Sequence, residues 1–233
     1  MIKMRWARLV VLACVAASVS GLVALPSTAA AKKRTGTFNQ CLSTALPIPD
    51  GPPAGSNAAN PVASLALAVR IPKYKGKHQN GVVTAFGSAG VRISHGDDGD
   101  LALFLVSPGG RAIALATYRD DSTNRDSEGE PSPSGDGYGQ GAMSCSGSLV
   151  QFGDGFSRSI TMPGNTGLDT PITGSFTPEQ PLSTFVGGPA SGFWTLIVQD
   201  VQGGDVGQIN AFSLSFTYEY KAKAKKKKHK KRR

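Results

Sequence analysis

The sequence predicts an all-β domain, an antiparallel β-sandwich, on three observations. Its 233 residues include 29 Gly and 15 Pro, which divide the chain into short segments joined by tight turns. Apolar residues alternate with period two at Leu65, Leu67, Val69 and Ile71, and again at Phe212, Leu214, Phe216, Tyr218 and Tyr220. No segment after residue 31 carries a sustained helical period. The 39% hydrophobic and 18% charged content excludes a wholly disordered chain, and the apolar runs are too broken for a multi-span membrane protein.

The elements follow in order. Lys3, Arg5 and Arg8, the apolar run 9–17 and the small residues Thr28 to Ala31 read as a secretory signal peptide over residues 1–31, cleaved near Ala29 to Ala31. Ser18, Ser20, Gly21 and Pro26 dilute the run below a membrane span; an uncleaved anchor is the alternative. Residues 32–36 are an exposed lead-in. Residues 47–61, with five prolines and two glycines, cross a surface as a loop. Residues 62–71 are a half-buried strand, 72–81 a basic turn, and 82–86 and 91–95 two short strands. Residues 101–106 are apolar on both faces, as a central strand of a two-layer fold would be. Ser107-Pro108-Gly109-Gly110 turns the chain into a partner strand over 111–117. The long polar stretch 119–147 is a functional or mobile loop. Residues 148–152 and 157–162 are candidate strands, 163–192 mostly turns, 193–198 a strand of strong β formers and 212–220 the last strand. The total is roughly eight strands in a sandwich.

Charge is unevenly spread. The formal charge is +9, but the tail alone holds ten cations: Lys221, Lys223, Lys225, Lys226, Lys227, Lys228, Lys230, Lys231, Arg232 and Arg233. Without them and the three near the start, 12 basic residues face 16 acidic ones, a body near −4. Dense like charge keeps such a tail unfolded and attracts polyanions in a salt-sensitive way, with no specific nucleic acid expected. A solubilising tail without a partner is the alternative. Loss of the signal would leave two cysteines, Cys41 and Cys145, and an even pair in an exported chain suggests one disulfide. It would close a loop worth about 4–5 kcal/mol in the chain-entropy picture. Two separate buried thiols are the alternative, and no Cys/His cluster suggests zinc.

Three ordered blocks resemble a known module. They are Val91-Arg92-Ile93-Ser94-His95 with Gly99-Asp100-Leu101 through Ser107-Pro108-Gly109-Gly110; Pro181 to Phe185 with Gly192-Phe193-Trp194 through Asp200; and Gly204-Asp205-Val206-Gly207 through Phe216. Ala45-Leu46-Pro47-Ile48-Pro49-Asp50 fits the opening of the same family. On these residues the chain resembles the P domain, or P/Homo B domain, of proprotein convertases and bacterial subtilisin-like serine proteases. The resemblance spans residues 37–218 and implies a jelly-roll β-sandwich of the galactose-binding-like type, followed by a tail over 219–233. Where the family often has Thr after the Ser-His pair, this chain has Gly96. In the family the domain follows a subtilisin-like catalytic domain and stabilises it. Here only the expected signal and lead-in stand before it, so the module is expected to be non-catalytic, with family labels such as serine-type endopeptidase and proteolysis belonging to a partner.

The candidate sites are few. The mature chain has three histidines, His78, His95 and His229, and no G-x-S-x-G elbow, so a Ser-His-Asp triad is not expected. His95 reads as a hydrogen-bonded structural residue. The turn Asp97-Asp98-Gly99-Asp100 places three carboxylates within four residues, a crowding that Ca²⁺ would relieve; Asp200 and Asp205 bracket a second such turn. Capping of the turns' own amides is the alternative. Asn124, Asp126, Glu128 and Gly129 echo an EF-type loop, but Gly135 stands where the bidentate Glu is needed. Trp194 reads as core; Tyr74, Tyr118 and Tyr138, in polar segments, are better placed to stack on a ligand. The expectation is a secreted or envelope-associated P-domain module. It would bind a separately encoded protease or envelope protein, and an anionic cell-surface polymer through its tail. An endopeptidase component active in its own right, or a cell-wall or carbohydrate-binding module, are the alternatives.

Overall fold

The computed structural model describes residues 31–53, 56, 58–117, 137–139, 147–160 and 172–222. They form ten strands: β1 (Ala31–Ile48), β2 (Val62–Val69), β3 (Val82–His95), β4 (Leu101–Val106), β5 (Ala112–Ala116), β6 (Gly137–Tyr138), β7 (Val150–Phe152), β8 (Ser175–Phe176), β9 (Gly192–Asp200) and β10 (Gly207–Lys221). The one helical piece among them is a short 3-10 turn, Leu182–Phe185. One sheet runs β1-β10-β3-β7-β8, with β6 also on β3; the other runs β2-β9-β4-β5. All pairs are antiparallel except the short β7–β8 pair. The predicted all-β sandwich is the fold.

Period two does the sorting. β2 alternates exposed and buried at every residue, and β9 buries Trp194, Leu196, Val198 and Asp200 in turn. Leu101, Leu103 and Leu105 from β4 and Phe212, Leu214 and Phe216 from β10 complete the interior, each at most 1% exposed. Leaving alternate side chains in water lets one face of each sheet supply a single shared core. Trp194, Phe86, Phe185 and Phe216 pack with ring centroids 5.1 to 5.6 Å apart, and the indole N–H donates to the Ala190 carbonyl at 3.1 Å. The polar atom of the largest buried residue therefore keeps a partner.

Several boundaries differ from expectation. Residues 32–36 are not a lead-in: they are the start of edge strand β1, with Lys32 opposite Tyr220 and Arg34 opposite Tyr218. Residues 219–221 belong to β10, so the tail starts later than 219. Residues 82–86 and 91–95 are parts of one strand, because Gly87 and Gly90 do not turn the chain. A Cβ on Gly90 would lie 2.4 Å from Ser213 Oγ and 2.6 Å from Gln151 Nε2, so these glycines allow neighbouring strands to approach. Within 157–160 only an isolated bridge forms, between Ser159 and Thr177. Residues 137–138, expected inside a polar loop, pair with β3 as β6.

Candidate functional site

Strand direction divides the sandwich into two poles. β3 ends, β4 starts, β9 ends and β10 starts at one of them, since His95 pairs with Gly207 and Leu101 with Asp200. The loops there carry Asp50, Asp97, Asp98, Asp100 and Asp205. At the other pole lie the β2–β3 loop, the Ser107–Gly110 turn and the free ends of β1 and β10, which carry Lys32, Lys33, Arg34, Arg70, Lys73, Lys75, Lys77 and Lys221.

His95 and Asp200 are the centre of the acidic pole. His95 Nε2 and Asp200 Oδ2 are 3.2 Å apart, with both side chains fully buried, and the pair links one sheet to the other. Asp200 Oδ1 accepts from the Gln202 N–H at 3.1 Å. Burial pushes the Asp200 carboxyl above its ordinary value; the His95 charge, the Gln202 and Gly51 amides and the His95 hydrogen bond oppose the rise. His95 Nδ1 meets the Asp97 main chain, at 3.2 Å from its N–H and in contact with its carbonyl. With the proton on Nε2, the ring donates to Asp200 and Nδ1 accepts from the Asp97 amide. With both nitrogens protonated, Nδ1 donates to the Asp97 carbonyl instead. Either way both ring nitrogens are taken.

Glycines make room for this arrangement. A Cβ on Gly207 would lie 2.3 Å from His95 Cδ2, and one on Gly96 would lie 2.3 Å from Asp205 Oδ1. Asp205 thus lies over Gly96.

Of the aspartates expected at a cation site, Asp97, Asp98, Asp100 and Asp205 lie in the loops of the acidic pole and Asp200 ends β9 beside them. Asp97 Oδ1 accepts from the Gly99 N–H at 2.8 Å, which is turn capping. Asp98 and Asp100 are buried and Asp205 half-buried. Among the described residues no three His, Cys, Asp or Glu side chains are grouped to hold a metal ion. Cys41, on β1, is disulfide-bonded; Cys145, its expected partner, lies outside the described residues, as do the signal peptide, the EF-type stretch 124–135, Tyr118 and residues 223–233. Tyr138 is a core residue, 3% exposed, and not a stacking platform; Tyr74 is half-buried with Lys75 Nζ 5.6 Å over its ring.

Sequence reasoning missed Arg92. It lies on β3 at 2% exposure, and its Nε and Nη2 have no hydrogen-bond partner among the described residues. Burial pushes its guanidinium below the ordinary value. A lone Arg between Val91 and Ile93 was the available signal, since alternation alone would place it on the outer sheet face.

No family model matches the chain, and no curated protein does. Among solved structures it is similar to a serine protease of Aeromonas sobria, at 14% identity and a TM-score of 0.36, over 83% of this chain and 28% of that one. It is also similar to the complex of Aeromonas sobria serine protease with its chaperone, at 13% identity and a TM-score of 0.36, over 82% of this chain and 27% of that one. The chain spans little more than a quarter of the length of these structures.

Proposed function

We propose that the chain is a secreted, non-catalytic module of the P-domain type. It binds and stabilises a partner protein and is held at the cell envelope by its basic tail. The partner class implied by the resemblance is a separately encoded subtilisin-like serine endopeptidase. One observation carries the non-catalytic part: His95 has a buried carboxylate on one nitrogen and the Asp97 main chain on the other. A triad histidine needs its second nitrogen free to take a nucleophile's proton. The Asp-His pair therefore acts as a clamp between sheets. The P-domain part is supported by where the resembling blocks fall, on β3, β4, β9 and β10, the strands that build the core.

The mature chain should leave a general protein substrate uncleaved, and a subtilisin-like catalytic domain from the same source should melt at higher temperature in its presence. Hydrolysis by the purified chain that His95→Ala abolishes would overturn the non-catalytic reading. A protease melting temperature unmoved by saturating amounts of the chain would overturn the partner reading.

A further inference from the structure

A cleft of about 690 Å³ opens at the basic pole, where β1 and the end of β10 meet the β2–β3 loop. Arg34, Arg70, Lys73 and His78 line it, above a floor that includes Phe38 and Tyr218. All four of these side chains are exposed, and among the described residues no carboxylate lines the cleft. The nearest acid along the strands is Glu219, exposed and opposite Lys33 in the β1–β10 register. The one ion pair among the described residues is His95–Asp200, at the other pole, so none of these cations is neutralised within the described fold.

The cleft is built rather than incidental. Arg34 stands opposite Tyr218 in register, which fixes one wall to the core. Gln79 fixes the other: its side-chain amide donates to the Pro72 carbonyl at 2.6 Å and the Lys221 carbonyl at 3.0 Å. Its oxygen accepts from the Lys221 N–H at 3.0 Å. This clamp holds the loop bearing Lys73 and His78 against the end of β10. It also ties Lys221, the last residue of β10, to that loop.

We propose that this cleft binds a multiply charged phosphate chain, short and free or repeated along a polymer. Arg34, Arg70 and Lys73 supply three permanent cations in one concavity. A single carboxylate would neutralise one of them and leave the others repelling, whereas successive phosphoryl groups match the whole set. Guanidinium forks meet phosphate oxygens two at a time, Lys73 adds a point charge, and the His78 imidazole adds a hydrogen-bonding nitrogen. The apolar floor lowers the local dielectric and strengthens each pairing relative to an open surface. The site is independent of the protease reading and does not need the tail, which would extend binding along a longer ligand.

The test uses the full mature chain, a form with the cations of 223–233 changed to Gln, and each with Arg34→Gln/Arg70→Gln or Lys73→Gln/His78→Gln. Calorimetry with tripolyphosphate at about 50 mM salt should show one site on the tail-neutralised form, weakened about tenfold or more by either cleft pair. Long-chain polyphosphate should bind the unmodified chain tightest, and cleft and tail changes should each reduce that affinity. The lining side chains are exposed, so melting temperatures should match across the set; the two cleft pairs serve as controls for one another. Tripolyphosphate binding within about twofold in both cleft variants, or absent from the tail-neutralised form, overturns the cleft. Long-chain binding unchanged by tail neutralisation overturns the tail's role and leaves the cleft standing.

Discussion

Asp200 shows how a single residue can carry a sandwich's polar logic. Its carboxylate is buried, pushed up by desolvation and held by His95 and two main-chain amides. A folded-state pKa above the ordinary 3.8 means that the native state favours the neutral acid. The associated stability is present below 3.8 and is lost as pH rises through the folded-state value. Asp200→Asn mimics the neutral acid: its oxygen can still accept from Gln202, and its amide can donate to a His95 tautomer protonated at Nδ1. The variant should match wild type at acid pH and gain on it as pH rises, read as melting temperature across the acid-to-neutral range. A variant that loses ground with rising pH would show that the ion pair outweighs the burial. Nothing local to Asp200 announced this pairing. A turn rich in Asp reads as a cation loop, and the partner stands 105 residues away on the other sheet. His95, by contrast, was legible as structural because it ends a strand inside a recognisable block.

Strands were legible wherever one face is dry and the other wet. β2 and β10 follow directly from alternation, β4 from its apolar run and β9 from its strong β formers, and Leu101, Leu103, Leu105, Trp194, Leu196, Val198, Phe212, Leu214 and Phe216 from the last three of these strands are all buried. The misread elements have physical causes. β1 starts with Lys32, Lys33 and Arg34, which look like solvent-borne lead-in; as an edge strand it needs only main-chain pairing with β10, and its first residues stay exposed. β3 contains Gly-Ser-Ala-Gly, a turn signal by composition, yet those residues provide the space that β10 and β7 occupy. Gly207, at the start of β10, shows how much depends on such space. Gly207→Ala brings a methyl against the buried His95 ring and the Ser94 carbonyl, at 2.3 and 2.7 Å. Overpacking of this kind costs about 2–3 kcal/mol. Chemical denaturation should show that loss, and it should shrink in a His95→Ala background, where the ring is gone. Strict additivity in that double-mutant cycle would mean that the ring is not what the methyl strikes.

At the scale of the whole molecule, net charge and charge placement give different forecasts. Among the described residues the acidic and basic poles lie at opposite ends of the strands, so this part of the body is dipolar whatever its sum. The tail has to be cut after Ala222, because Lys221 is tied to Gln79 and ends β10. Deleting residues 223–233 removes nine cations from a mature chain of 22 basic and 16 acidic residues and leaves a net charge of −3. Counted as a sum, that chain should abandon anionic surfaces for cationic ones. Counted as a dipole, it should bind both at low salt, through opposite poles. The basic pole keeps Arg34, Arg70, Lys73 and their neighbours in one patch, and at short range a patch outweighs a net excess of three acids. Truncated protein at neutral pH should therefore be held by both cation- and anion-exchange matrices at about 20 mM salt and by neither near about 300 mM, where the screening length falls well below the pole-to-pole separation. The melting temperature should be unchanged, because the deleted residues leave the paired strands and the core intact. Retention on the anion exchanger alone would mean that the basic pole is too dispersed to act as a patch, and would argue against the cleft as well.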